Sequence, residues 1–319
     1  MIVVTGGAGF IGSHWLERLN AMGETDILVV DDLTDGTKIH NLAGRQIRDY
    51  LDLEDFIGAF EQSDTFPKVT AVVHQGACSA TTEWNGRYLM KNNYEYSKRL
   101  LAACQRRHVP FLYASSASVY GLGQHGFREA VACEWPINAY AYSKWQFDQY
   151  VRQMLERRTA PVVGLRYFNV YGTREAHKGS MASTLFHFFN QVVTTGVAKL
   201  FGPSHGYAAG EQLRDFVDVR DCVDVGLWFL GAGDRSGIYN VGTGEARSFN
   251  DMARAVIAAL GRGVVEYVDF PEKLRPAYQA YTQADLTVLR AAGYSATFRT
   301  LESGVADYIA ATYSTGTPA

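Results

Sequence analysis

The chain is short of the features that mark membrane, nucleic-acid-binding, metal-binding and secreted proteins. No apolar run approaches the roughly 18 residues that a membrane-crossing helix needs, so no membrane association is expected. Its 319 residues include only four cysteines, Cys78, Cys104, Cys133 and Cys222. None stands at C-x-x-C spacing, so they are read as reduced thiols rather than as a disulfide framework or a zinc site. The eight histidines fall at no ligating spacing either, and no metal is expected. Charge is balanced: 30 Lys and Arg against 33 Asp and Glu give −3. Without a basic block, nucleic acid is not an expected partner. No charged leader or cleavage-site pattern precedes Ile2, so no secretory signal is read and a cytoplasmic location is expected. Internal repeats and low-complexity tracts are missing too. What remains is an ordinary globular composition, 47% hydrophobic and 20% charged. The length suggests two domains, or one with a substantial appendage.

The most informative stretch is residues 2–11, Ile-Val-Val-Thr-Gly-Gly-Ala-Gly-Phe-Ile, closed by Gly12. Residues 2–5 are β-branched and apolar, as in a short buried strand. Glycines at 6, 7, 9 and 12 take the chain round a tight turn, and residues 10–22 read as a helix. A Cβ in such a turn would keep the backbone from approaching a pyrophosphate, and the free N–H groups of the helix start face the anion. A second strand over 26–30 ends in Asp31, about 20 residues beyond the glycines, where a ribose hydroxyl is held. Strand, glycine turn, helix, strand and acid together predict a dinucleotide-binding chain.

Strands and helices then alternate. A polar loop over 32–44 carries Lys38, a strand near 47–50 leads to a helix over 52–62, and a strand over 70–74 runs into Gln75-Gly-Ala-Cys-Ser79. Residues 87–108 form a long helix containing Asn92 and Asn93, with Asn92 either facing solvent or touching a cofactor. Strands over 111–115 and 161–168 flank a helix over 136–155. The expected fold is α/β, a doubly wound parallel (Rossmann) sheet with a smaller α/β substrate-binding domain. The dinucleotide-binding domain spans 1–170 and the substrate-binding domain 171–319. In the latter we read a helix over 179–195, a Gly/Ala-rich loop over 202–212, strands over 214–219 and 237–241 that return to the sheet, and a mostly helical 281–313.

Tyr140 and Lys144 stand at i and i+4, so they share one face of the predicted helix. Ser116 closes the preceding strand. A tyrosine with its ordinary pKa of about 10 is a poor base at neutral pH, and an ammonium one turn away favours its phenolate. The trio is suited to take a proton from an alcohol whose carbon gives hydride to a nicotinamide. The spacing alone is weak, since Tyr94 and Lys98 repeat it on the other long helix. Position after Ser116, in a chain with the glycine turn, is what lifts Tyr140.

Thr5-Gly-Gly-Ala-Gly-Phe-Ile-Gly12, Ser116 and Tyr140-x-x-x-Lys144 resemble the extended short-chain dehydrogenase/reductase (NAD-dependent epimerase/dehydratase) family, whose members modify nucleotide-activated sugars. Asp35-Gly-Thr-Lys38, His74-Gln-Gly-Ala-Cys-Ser79, Thr81-Thr-Glu-Trp84, Arg166-Tyr-Phe-Asn-Val-Tyr-Gly172, His177-Lys-Gly-Ser-Met-Ala-Ser183 and Tyr278-Gln-Ala-Tyr-Thr-Gln-Ala-Asp285 narrow the resemblance to members acting on an ADP-linked heptose. It implies oxidation of the alcohol at the sixth carbon and reduction from the opposite face, for lipopolysaccharide core supply, by a homo-oligomer in the form of a pentamer.

Residue by residue, the resemblance implies Lys178 as a second catalytic group beside Tyr140, Lys144 and Ser116. On sequence alone Lys178 is an ordinary loop lysine. Cofactor contacts are implied for Gly6, Gly9, Phe10, Ile11, Gly12, Asp31, Asp32, Lys38, Gln75, Gly76, Ala77, Cys78, Ser79, Asn92, Lys144, Val170 and Lys178. Substrate contacts are implied for Asn169, Ser180, His187, Phe201, Gly202, Pro203, Ser204, Arg214 and Tyr278. Read alone, Arg214 is either a diphosphate ligand or a surface ion pair with Asp215 or Asp218. The resemblance points to NADP, yet Leu53 replaces a lysine of the family pattern, and Asp31 and Asp32 would repel a 2′-phosphate that only Lys38 offsets. By charge NAD competes. A UDP-hexose 4-epimerase or nucleotide-sugar dehydratase would not need Lys178. A non-catalytic NADP-sensing module would have no reason to keep Ser116, Tyr140 and Lys144 together.

Overall fold

Short runs of Val, Ile and Leu lie in strands buried on both faces, as a parallel sheet covered by helices requires. In the computed structural model, which describes residues 1–62 and 66–314, Ile2–Thr5, Ile27–Asp31 and Ala71–His74 are almost wholly buried. Seven strands form one sheet, in the order Gly237–Val241, Val162–Tyr167, Phe111–Ser116, Ala71–His74, Ile2–Thr5, Ile27–Asp31, Asp49–Asp52. Ile2 pairs in parallel with Ile27 on one side and Ala71 on the other, Leu28 with Asp49, and Val72 with Phe111. The strand order reverses beside Ile2–Thr5, which puts the ligand crevice of a doubly wound sheet at the carboxyl ends of that strand and Ala71–His74. The expected fold class is the observed one.

The chain divides into two compact units, residues 1–119, 136–166 and 223–239, and residues 120–135, 167–222 and 240–319. The core of the first joins Val3, Leu28 and Val72 of the sheet to Phe56, Phe60, Leu100, Leu101 and Phe147 of the helices. The second has its own core, in which Leu185, Phe188 and Phe189 meet Met252, Val256, Val305 and Tyr308.

Three local expectations are corrected, and one is refined. Residues 214–219 do not return to the sheet: Leu213–Arg214 pairs with Arg247–Ser248, and Phe216–Asp218 with Asn169–Tyr171, because Phe216 is buried in the second core. The long helix over 87–108 is present as one continuous helix over 86–106, π-helical in its stretch Met90–Glu95. The helix read over 179–195 begins only at Thr184, where Ser183 caps it; Gly179, at φ 53°, interrupts the preceding 3-10 turns. Residues 281–313 are helical only in Thr287–Ala291 and from Leu301. The 202–212 loop holds a tight turn, Ser204 and Tyr207 exchanging both backbone bonds around His205 and Gly206 at φ 53° and 82°.

Candidate active site

The glycine turn is built by close approach. A Cβ on Gly12 would collide with the Gly6 carbonyl oxygen, and one on Gly6 would lie 2.5 Å from the Gly76 nitrogen. Helix Phe10–Ala21 starts at Gly9 with no side-chain cap, leaving its first N–H groups for an anion. Asp31 is buried at its strand's end. Its Oδ2 accepts from the Ala8 N–H at 2.8 Å, while Oδ1 accepts from the Asp32 N–H and pairs with Lys38 Nζ at 2.7 Å. Asn41, which no sequence signal marks, donates to the Ala8 carbonyl and so holds the same residue from its other side. Hydrogen bonds to Thr34 hold the exposed Asp32 carboxyl below its ordinary value. Leu53 packs at the edge of the first core.

The facing wall is a hydrogen-bonded chain. Ser97 Oγ donates to the Asn93 carbonyl, so its oxygen accepts from His74 Nε2 at 2.8 Å, and His74 Nδ1 accepts from Thr5 Oγ1 at 2.6 Å. Burial pushes His74 down to about 3, which keeps this imidazole neutral. Asn93 Oδ1 accepts from the Cys78 N–H, and its Nδ2 donates to the Cys78 carbonyl and to Ser143 Oγ. It thus ties the turn over 75–79 to the helix carrying Tyr140. Asn92, half-buried, takes no side-chain partner among the described residues. Both amide atoms of Gln75 are buried and unpartnered.

Helix Ala139–Met154 is capped by Asn138, whose Oδ1 accepts from the Ala141 N–H. Its Tyr140 and Lys144 are buried, 9% and 7% exposed, against strand Phe111–Ser116. Tyr140 hydrogen-bonds Ser116, and Lys144 Nζ donates to the Ala114 carbonyl at 2.8 Å. The trio is therefore assembled, but its electrostatics differ from expectation. Burial raises the Tyr140 phenol above its ordinary value, and the bond from Ser116, not the Lys144 ammonium, pulls it back. Burial brings Lys144 down to about 8, against the opposing pull of Asp148 and Cys78. In this state the tyrosine keeps its proton at neutral pH.

In the second unit Arg214 is 7% exposed, with its guanidinium 5.0 Å from the Tyr278 ring and 5.4 Å from that of Phe249. The ion-pair reading of Arg214 fails. Asp215 receives Thr243, Gly244 and Ala284, and Asp218 binds Arg220. Burial lowers the Arg214 pKa, as for a cation stripped of water. Tyr278 also meets Phe201 and Phe270, while Gln212, not anticipated, donates to Gly202 O and Ser204 Oγ. Pro203 is exposed. Asn169 Oδ1 accepts from Thr282, and Val170 pairs with Val217. Lys178 Nζ lies 3.1 Å from the buried Glu175, which also accepts from the Gly172 and Ser183 N–H groups. Ser180 is exposed, and half-buried His187 sits edge-on to Phe186.

Residues 2–242 match the model of the NAD dependent epimerase/dehydratase family. The chain belongs to that family. Among its curated relatives, the ADP-L-glycero-D-manno-heptose-6-epimerase of Alkalilimnicola ehrlichii is 57% identical over 309 residues, 97% of this chain and 96% of the relative. The crystal structure of the Helicobacter pylori enzyme of the same name superposes at TM-score 0.83 with 30% identity, covering 98% of this family member and 96% of that chain. Thermus thermophilus UDP-glucose 4-epimerase, solved with NAD, gives 0.79 at 29% identity over 97% of both chains.

Proposed function

We propose that this protein is an ADP-glyceromanno-heptose 6-epimerase, interconverting ADP-D-glycero-D-manno-heptose and ADP-L-glycero-D-manno-heptose for the lipopolysaccharide core. The near-complete match to the Alkalilimnicola enzyme carries the substrate assignment. The buried trio of Ser116, Tyr140 and Lys144 supports the chemistry. Arg214, a buried guanidinium with no carboxylate partner among the described residues, suits a diphosphate.

The glycine cradle and the unpartnered Gln75 amide fit a dinucleotide. The residues to hold it are Gly6, Gly9, Phe10, Ile11, Gly12, Asp31, Asp32, Lys38, Gln75 to Ser79, Asn92, Lys144, Val170 and Lys178. Once bound, the nicotinamide supplies a hydride acceptor that is restored at each turnover. Tyr140, with Ser116 holding the same sugar oxygen, exchanges the proton in one orientation of the hydroxyl. Lys178 serves the inverted orientation, released from Glu175 for the purpose. NADP is the form the resemblance favours, with NAD its competitor, because Lys38, which would face a 2′-phosphate, is paired with Asp31 while Asp32 beside it stays exposed. Asn169, Ser180, His187, Phe201 to Ser204, Arg214 and Tyr278 take the substrate. A cytoplasmic homopentamer completes the proposal, checked by mass from light scattering.

Proton NMR of ADP-D-glycero-D-manno-heptose incubated with the protein should show both epimers approaching equilibrium. Inert substrate alongside bound cofactor would overturn the assignment. Mass spectrometry of the cofactor released on denaturation separates NADP from NAD.

A further inference from the structure

Below the reacting trio lies a buried ion pair that the proposed chemistry does not use. Asp148 and Arg166 are both 0% exposed. Asp148 Oδ1 accepts from the Tyr113 hydroxyl at 2.8 Å, and Oδ2 accepts from the Ser115 hydroxyl at 2.8 Å, Arg166 Nε at 2.9 Å and Arg166 Nη2 at 2.8 Å. Tyr113 reaches it only because strand Val162–Tyr167 has no Cβ at position 164, where one would stand 2.5 Å from the Tyr113 hydroxyl. Desolvating such a pair costs about as much as the attraction returns, so a well-packed apolar pair would stabilise the core equally well. The pair therefore calls for a reason other than stability.

Geometry supplies one. Tyr140, Lys144 and Asp148 occupy successive turns of one helix face. All three reach strand Phe111–Ser116: Tyr140 at Ser116, Lys144 at the Ala114 carbonyl, Asp148 at Tyr113 and Ser115. The first two contacts are single hydrogen bonds; the third is double, and Arg166 on strand Val162–Tyr167 adds two more bonds to the same buried carboxylate. We propose that Asp148 is a positioning residue for the reaction, locking the rotation and register of helix Ala139–Met154 so that Tyr140 and Lys144 meet Ser116 and Ala114.

The same carboxylate acts on Lys144 electrostatically. The titratable and charged groups around that ammonium are Tyr140 and Asp148 on its own helix, Cys78 and neutral His74 from the neighbouring strand and turn, and Tyr113 and Arg166 around Asp148. Burial lowers Lys144, and Asp148 is the strongest influence raising it.

The kinetic arm of the test rests on the epimerase reading; the crystallographic arm does not. In Asp148→Asn, kcat should fall about a hundredfold, as for a small misplacement of reacting groups. The alkaline limb of its pH profile should move to lower pH by about one unit, since the ammonium loses its support. Tyr113→Phe with Ser115→Ala keeps the ion pair and removes the hydroxyl ties. Its kcat should fall about tenfold with the limb unmoved, and its crystal structure should show Lys144 Nζ off the Ala114 carbonyl. A merely structural Asp148 would lower stability without moving the limb, and that result overturns the proposal. So does a hydroxyl-free variant with Lys144 still on Ala114 and wild-type kcat. Should Asp148→Asn fail to fold, the hydroxyl-free variant decides. If the wild type shows no turnover, the epimerase reading fails and the position of Lys144 in that crystal structure decides alone.

Discussion

Two Tyr-x-x-x-Lys pairs lie on two helices of the same unit, and only one is buried against the strand that carries Ser116. Lys98 is in part exposed, ion-paired to Glu95 at 3.2 Å and placed over the Tyr94 and Tyr150 rings at 4.6 and 5.4 Å. Tyr140 and Lys144 are buried and aimed at Ser116 and Ala114. The neighbours explain the difference. Asn93 and Ser97 use the inward face of their helix to hold Cys78 and His74, so Tyr94 and Lys98, the next residues round, fall at the half-buried rim, Tyr94 against the edge of the core. On the other helix the inward positions are Tyr140, Lys144 and Asp148 themselves, beside Ser143 and Phe147. The i, i+4 spacing says that two side chains share a face; the polar groups that already have partners say which face it is.

The comparison breaks most sharply on removal of one oxygen from each pair. Tyr140→Phe should lower kcat by about 10²–10⁴-fold, the usual worth of a positioned acid/base, while cofactor is retained. Tyr94→Phe should stay within about twofold of wild type. Parity between the two variants in the NMR assay would remove Tyr140 from the chemistry. Next in size, Arg214→Gln extends the contrast to a third buried base. Losing charge-assisted bonds to a diphosphate, roughly 1.5–3 kcal/mol, should raise the KM for ADP-heptose about 10- to 100-fold and spare kcat. An unchanged KM would return Arg214 to packing alone.

The lysines should also separate by pH. Burial brings Lys144 to about 8, so its ammonium is lost as pH rises through that value and activity should decline there. In the unfolded chain Lys144 keeps its proton to about 10.5, so the cost of burying its charge, full below the folded value, is relieved as pH rises between the two and stability from this group climbs there. Lys98 behaves oppositely. Burial's pull is outweighed by Glu95 and the two tyrosines, which hold it above its ordinary value, and it remains charged throughout that range. An activity profile flat to pH 10 would contradict the assignment.

Much of this was legible in the chain. Glycine spacing, the acid at 31 and the run of apolar strands dictate the sheet and its crevice because each follows from local sterics and period. That Ser116, Tyr140 and Lys144 come to one strand end is legible because strand and helix ends are readable from caps and patterning. The misses are non-local. Nothing in the sequence tells that Asn41 reaches Ala8, that Glu175 holds Lys178, or that Phe216 is claimed by the second core rather than by the sheet. The sign of the Tyr140 shift was missed for the same reason: spacing shows the ammonium, whereas the depth of burial that outweighs it depends on the whole fold.

The smallest effect tests the bland member of the comparison. Lys98→Met removes an exposed ion pair, worth about 0–1 kcal/mol, and a cation–π contact of about 0.5–1 kcal/mol at an exposed site. The methionine keeps most of the aliphatic stem against Tyr94 and Tyr150, so part of the packing survives. Denaturant unfolding should register a loss of about 1 kcal/mol or less, shrinking further in high salt for wild type against variant, because the ion-pair share is screened. Turnover should not change. A variant that folds to wild-type stability yet loses activity would mean that the pair at the rim takes part in the reaction, and that burial is the wrong criterion for choosing between the two.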